Sequence, residues 1–321
     1  MNLICWNARG LGNPRSFREL RRLIAEKDPT LFFLSETKMR ATKCKLWKSI
    51  LRFTGCFMVD CKGKSGGLIL FWKNLADVSI KSYSMGHIDC VIQESGNLWR
   101  FTGFYGQPDA SLRHFSWDLL KRLKSLRELD GIPWLVGGDF NEICYESEKL
   151  GGNRRPIPQM QAFRDTLEVC ELQDIFCHGD AFTWVNRRRT ENLVFERLDK
   201  FEGSLNWRLL YPTAHASSME FFHSDHRPIC MKLTSAHSQG SAKKAFSRTT
   251  FRFERFWLTE EDCGEIVQMG WGEGNHSIPL PTRILQCKES LQTWARAKFQ
   301  NIPKRLKEKR SLLNGLRTSK K

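Results

Sequence analysis

The stretch Trp134-Leu135-Val136-Gly137-Gly138-Asp139-Phe140-Asn141-Glu142 decides how this chain is to be read. A short apolar run closed by two glycines reads as a buried strand. It stops on a carboxylate, an amide and a second carboxylate. A rigid strand that ends on polar groups aims them from a loop, where catalytic side chains concentrate. Asp-x-Asn also suits a plain turn, so the stretch alone does not establish a site.

Working outward, the same pattern recurs. Upstream, residues 2–7 form a short apolar strand ending at Asn7. Leu31–Ser35 is a continuous apolar strand followed by Glu36. Residues 67–72 are another strand, and 98–105 a third that ends at Tyr105. Downstream, 182–186 and 193–200 flank the run 187–190, a hairpin signal. Asp199 lies at the end of the second arm, and Asp225 and His226 precede a closing strand at 230–233. Helical spacing falls at 16–25 (Phe17, Leu20, Leu23, Ile24), 112–128 and 158–169. Singly, each polar residue has a plain structural role: Asn7 as a cap, Glu36 as a solvated loop acid, Tyr105 as packing, Asp199 as a partner of Arg197, His226 as a satisfied histidine.

The bulk composition narrows the classes. The chain has 321 residues, 40% of them hydrophobic, with 22 Phe and 11 Trp, enough for a sizeable aromatic core. No apolar run approaches the roughly 18 residues of a membrane span, and the start MNLICWNARG is not a secretory signal, so a non-secreted protein without a membrane role is expected. Eleven cysteines without a C-x-x-C pair argue against a disulfide framework and a structural zinc site, and for reduced thiols. No G-x-G-x-x-G or Walker motif is present, and no small-molecule organic cofactor is expected. The net charge of +16 divides into +7 over residues 1–234 (34 Lys and Arg against 27 Asp and Glu) and +9 over 235–321 (17 against 8). Such a surface attracts polyanions, nucleic acid first.

Order turns these weak signals into a specific one. CWNARGLG, FLSETK, FYG, GGDFNE, FTW, RLDKF and SDHRPI follow one another along residues 1 to about 233. The series resembles the endonuclease/exonuclease/phosphatase superfamily, the fold of deoxyribonuclease I and apurinic endonucleases, and is most similar to the endonuclease domains of plant long interspersed (non-LTR) retrotransposons. The resemblance implies an α/β (α+β) four-layer sandwich, two mainly antiparallel β-sheets flanked by helices, with the site at one edge. A domain at 1–234, a linker at 235–248 poor in large apolar residues, and a basic helical extension at 249–321 are expected, the last resembling the segment before a reverse transcriptase.

The resemblance also assigns roles. Glu36 is the leading ligand for Mg2+ (or Mn2+), with Asn7 and Asp225 beside it. Asp139 orients or deprotonates the attacking water, Asn141 and Tyr105 donate to the phosphate, His226 contacts the scissile phosphate and Asp199 orients His226. Magnesium suits such a site as a hard cation that takes few carboxylates and keeps waters. One departure stands out: apurinic endonucleases carry an aspartate two residues after the first asparagine, where this chain has Arg9. A second metal ligand is thereby missing, which favours one metal and speaks against abasic-site repair. Arg187, Arg188 and Arg189 on the hairpin are candidates for a DNA groove, with a solvated turn as the alternative.

These readings converge on a DNA endonuclease that leaves a 3′-hydroxyl, encoded by a retroelement fragment and acting in the nucleus, or otherwise residing in the cytoplasm. Two rivals remain: a phosphatase of the same superfamily acting on phosphoinositides or nucleotides, and a non-catalytic DNA-binding remnant. The sequence is silent on oligomeric state.

Overall fold

The computed structural model describes residues 1–63, 65–73, 77–94, 96–186, 193–222, 224–233, 253, 257–258, 260–272 and 280–299. Along the first part run β1 (Asn2–Asn7), α1 (Pro14–Lys27), β2 (Leu31–Ser35), α2 (Cys44–Ile50), β3 (Gly55–Lys62), β4 (Ser65–Trp72), β5 (Asp77–Ser84), β6 (His87–Glu94) and β7 (Asn97–Tyr105). Then come α3 (Arg113–Lys124), β8 (Trp134–Asp139), β9 (Lys149–Leu150), α4 (Ile157–Val169), β10 (Leu172–Asp174), β11 (Cys177–His178), β12 (Trp184–Val185), β13 (Phe195–Glu196), β14 (Asp199–Ser204), α5 (Leu205–Leu210), β15 (His215–Ser218) and β16 (Ile229–Lys232).

Two large sheets result. One has seven strands in the order β11-β15-β16-β1-β2-β4-β3, the other six in the order β10-β14-β8-β7-β6-β5. Most neighbours are antiparallel, but the central pairs β1–β2 and β7–β8 are parallel. Asn7 therefore lies opposite Ser35 at the end of one pair, and Tyr105 opposite Asp139 at the end of the other. A third, small sheet holds β12, β13 and β9.

The layers follow from which faces are apolar. Leu3, Cys5, Leu31, Phe33, Leu68 and Leu70 of the first sheet face Ile88, Cys90, Trp99, Phe101, Leu135 and Phe201 of the second. The alternate residues Ile4, Trp6, Phe32, Leu34 and Phe71 point outward onto Leu20 and Leu23 of α1 and Trp47 of α2. On the far side, Trp134 and Val136 of β8 meet Leu119, Leu120 and Leu123 of α3 and Phe163 and Leu167 of α4. Strands covered on both faces are why β2 reads as an unbroken apolar run. Helix α1 starts where Asn13 caps the Arg15 N–H ahead of Pro14, and stops where Asp28 turns left-handed (φ 43°). Burying Leu20 and Leu23 fixes it to the sheet, each worth about 1.5–3 kcal/mol.

Several elements differ from the sequence reading. β3, β5 and β6 are strands the periodicity did not single out. The arm expected at 193–200 is broken: Phe195 and Glu196 pair in the small sheet, and Asp199 opens β14 rather than ending a strand. Buried Thr183 enforces the step, its Oγ1 accepting from the Leu198 and Asp199 N–H groups at 3.0 and 2.9 Å. Among the described residues nine cysteines are free thiols, whereas Cys56 is disulfide-bonded, an exception to the reduced state expected of them all.

Contacts divide the chain into two compact units, residues 1–240 and 241–321. In the second, α6 (Cys263–Trp271) and α7 (Leu280–Phe299) enclose a small core of Trp257, Cys263 and Leu291. The expected linker at 235–248 and residues 300–321 of the expected helical extension lie outside the described residues. Among the described residues, no helix is long and apolar enough to cross a membrane.

Candidate active site

The polar ends of β1, β2, β7 and β8 converge on one edge of the sandwich. Asn7 is buried, and its Nδ2 donates to Asp139 Oδ2 at 2.8 Å and to Glu36 Oε1 at 3.3 Å. Tyr105 Oη donates to the same Glu36 oxygen at 2.7 Å. Four strand ends are thus tied by three hydrogen bonds. Asp139 arrives there because β8 runs tightly beside β7: a Cβ on Gly138 would stand 2.1 Å from the Phe104 carbonyl oxygen, and the glycine sits at φ 143°. Glu36 (φ 48°) and Asn141 (φ 53°) hold left-handed backbone where the strands turn away. Such conformations are uncommon for residues other than glycine and gather at functional sites.

The second half of the site comes from β14 and the segment before β16. His226 is buried, and its Nδ1 donates to Asp199 Oδ2 at 2.9 Å. Its Nε2 faces Asp139 Oδ2 at 3.8 Å. Ser224 holds this turn, its Oγ donating to the Asn7 carbonyl at 2.8 Å and accepting from the His226 N–H at 3.1 Å. Burial alone would strip the imidazole of its proton. Asp199 and then Asp139 overcome it and lift the His226 pKa to about 9. For Asp139, burial raises the pKa, His226 opposes it and Asp199 adds to it, leaving the carboxyl near 6. At neutral pH His226 is therefore an imidazolium held between two carboxylates. Tyr105 is kept firmly protonated by burial and by the Glu36 and Asp139 charges, so its hydroxyl remains a donor.

Not every expected residue is free for the role the resemblance gave it. Asn141 Nδ2 donates to the Gly106 carbonyl at 2.8 Å and to Asp139 Oδ2 at 3.3 Å, so both its protons have partners within the protein. Asp225 forms no hydrogen bond to Asn7 or Glu36. Its Oδ2 accepts from Trp184 Nε1 at 3.0 Å and pairs with Arg9, while its buried Oδ1 has no partner. Arg187, Arg188 and Arg189 lie outside the described residues. Sequence reasoning passed over Trp184 and Ser224 as site residues, although both sit within motifs it had marked, FTW and SDHRPI.

Two places suit a cation. Asp139, Asp199 and His226 form a buried group whose ligand atoms lie within 4.8 Å of one another, a spacing that can hold a metal ion. There, however, a metal would have to displace a proton from the His226 imidazolium. Glu36 offers the better fit. It is half-buried, and its Oε2 accepts no hydrogen bond among the described residues. Glu36 offers a hard oxygen of the kind magnesium takes, whereas Asn7, expected as a second ligand, turns its Nδ2 toward Glu36 and its Oδ1 toward the Arg9 N–H.

The same residues fall within a match of 4–226 to the family model described as Endonuclease/Exonuclease/phosphatase family. The chain belongs to that family. Solved structures that share its fold include the endonuclease domain of TRAS1, a telomere-specific non-LTR retrotransposon, at 15% identity and a TM-score of 0.55, over 72% of this chain and 97% of that one. The AP endonuclease of Leishmania major aligns at 18% identity and a TM-score of 0.57, covering 72% and 86%. A 3′-5′ exonuclease from Neisseria meningitidis aligns at 17% and 0.56, covering 73% and 99%. No curated protein sequence matches the chain. Within this endonuclease/exonuclease/phosphatase frame, acids, amides, a tyrosine and a protonated histidine meet at one edge, an arrangement suited to a phosphate ester.

Proposed function

We propose that the chain is a divalent-metal-dependent endonuclease that hydrolyses DNA phosphodiester bonds to leave a 3′-hydroxyl, derived from a non-LTR retrotransposon. The observation that carries this reading is the convergence of Asn7, Glu36, Tyr105 and Asp139 with the Asp199–His226 pair at one edge. The likeness to the TRAS1 endonuclease domain and the net charge of +16 favour DNA over a small phosphate ester. On this reading the protein works in the nucleus.

The residues divide the work as follows. His226, charged and fixed by Asp199, offers its Nε2 proton to a phosphate oxygen and so offsets negative charge as it develops. Asp139, poised near neutrality, accepts a hydrogen bond from water placed against the phosphorus and takes its proton. Asn7 fixes the orientation of both Asp139 and Glu36. Tyr105 donates its one hydroxyl proton to Glu36 and so helps hold that carboxylate in place. Mg2+ held by Glu36 would supply Lewis-acid polarisation of the phosphate.

The test is digestion of supercoiled plasmid by the full chain with Mg2+ or Mn2+ and with EDTA, beside a panel of inositol phosphates and nucleotides. Nicked circles that DNA polymerase extends without end repair are expected. Turnover of small phosphate esters without nicking would make the protein a phosphatase, and DNA binding without any turnover would make it a remnant.

A further inference from the structure

Arg9 brings a permanent positive charge to the edge and pairs directly with one of its carboxylates. It sits on the turn that follows β1, at φ 47°, with its N–H donating to Asn7 Oδ1 at 3.1 Å. Bonds from Ala8 N–H to the Ser35 carbonyl and from Leu11 N–H to the Thr37 carbonyl, each 3.0 Å, pin the turn on both sides. The side chain is therefore placed by the same backbone that places Asn7. Its guanidinium pairs with Asp225, a carboxylate only 3% exposed, while Arg9 itself stays 56% exposed. Its charge also reaches the Tyr105 hydroxyl, which is bonded to Glu36. Arg9 thus spans the mouth of the site, one side on Asp225 and the other open to whatever binds there.

We propose that Arg9 is a built-in cation of the site, resting on the nuclease reading. Its guanidinium covers Asp225 and presents its remaining N–H donors to a non-bridging oxygen of the phosphodiester. A guanidinium is planar, charged at any working pH, and forked so that it grips a carboxylate and a phosphate at once. Two consequences follow. Asp225 is withheld from metal, leaving Glu36 as the single seat for a divalent ion. The second positive charge at the phosphate is covalently part of the protein and does not exchange with the medium.

The experiment counts metal ions as well as turnover. Mn2+ is titrated into the metal-free full-length protein and followed by electron paramagnetic resonance. Wild type takes up one ion per chain. Arg9→Ala takes up a second, weaker one, which disappears again in Arg9→Ala/Asp225→Asn. Equal stoichiometry in wild type and Arg9→Ala overturns the proposal whatever the cleavage assay gives. In plasmid nicking, Arg9→Ala loses about a hundredfold in kcat with a smaller change in KM, the scale of a lost transition-state donor. Arg9→Lys, which keeps the charge but not the fork, falls between. An unchanged kcat in Arg9→Ala overturns the phosphate contact. If wild type cleaves no substrate, the nuclease reading fails, and the metal count still decides whether Arg9 seals Asp225.

Discussion

Two clusters of buried charge lie near each other in the first unit, and they are balanced differently. Beside β13 and β14, Glu142 pairs with Arg113 and Arg155, Glu196 with Lys149 and Arg155, Glu148 with Lys200 and Arg197, and Asp174 with Arg197. At the candidate site, Glu36, Asp139, Asp199 and Asp225 meet ion-pair partners only in Arg9 and His226 among the described residues. The difference shows in proton affinity. Burial would raise Glu148 and Glu196, yet their basic neighbours pull both below the ordinary value. Asp139 goes the other way, to about 6. Buried Glu202, whose carboxylate has no hydrogen bond, is driven far up by burial and by Asp174, showing what the first cluster looks like where a partner is missing. A cluster that neutralises itself holds the fold. A cluster short of positive charge is arranged for a cation.

The contrast breaks first at Glu36. Glu36→Ala should reduce metal-dependent nicking to background while DNA binding, read by anisotropy in EDTA, persists. Full activity in this variant would remove Glu36 as a ligand. His226→Ala should lose at least about a hundredfold in kcat, and Asp199→Asn less, because Asp199 only positions the ring. The reverse order would show that the pairing is wrong. In the self-neutralised cluster, Lys200→Met should cost about 3 kcal/mol in a denaturant melt, since it strips a fully buried partner from Glu148. An unchanged melt would mean that Arg197 alone satisfies that acid.

The titration of His226 sharpens the comparison further. Its folded pKa is raised from 6.5 to about 9, so the pairing adds stability that is complete below 6.5 and is lost as pH rises through about 9. Its Hε1 proton resonance in the metal-free protein should report a midpoint near 9, falling in Asp199→Asn. A midpoint near 6.5 in wild type would mean that the two carboxylates do not hold its proton. The smallest effect concerns the extension. Residues 1–234 should fold and cleave alone, with a flatter salt dependence of DNA binding, each lost phosphate contact lowering the slope by roughly 0.9. Equal slopes would show that residues 235–321 do not touch DNA.

How legible each part was depended on where its meaning is written. β2 could be read to the residue because LFFLS is buried on both faces. β5 was missed because, at the sheet edge, it alternates between half-buried and exposed, with Val78 and Ile80 only partly buried against the core. β6 was missed because it opens on His87 and Asp89, although both are buried. Asp89 is satisfied only across the sheet, by a bidentate Arg100 at 2.8 and 2.9 Å and by Thr102 at 2.6 Å. Most candidate catalytic residues were visible because Asn7, Tyr105 and Asp139 end strands and Glu36, Asn141, Asp225 and His226 lie in the turns beside strands, whereas Asp199 opens β14. The pairing of Arg9 with Asp225 was not, because it joins two turns far apart in the chain and no local pattern encodes it.

The register of β1 sets a schedule for the whole molecule. Leu3 pairs with Met231 and Ile4 with Cys230, so the first strand waits for almost the last residues of the sheet before its outer edge is covered. Contacts between such distant positions close slowly. A ribosome partway through this message therefore carries a chain with β1 and β2 made, the β16 side of β1 unpaired, and His226 not yet synthesised. The candidate site is completed in a single late step, and a chain cut short before residue 226 is left with an open strand edge, prone to pairing with its neighbours, and without His226.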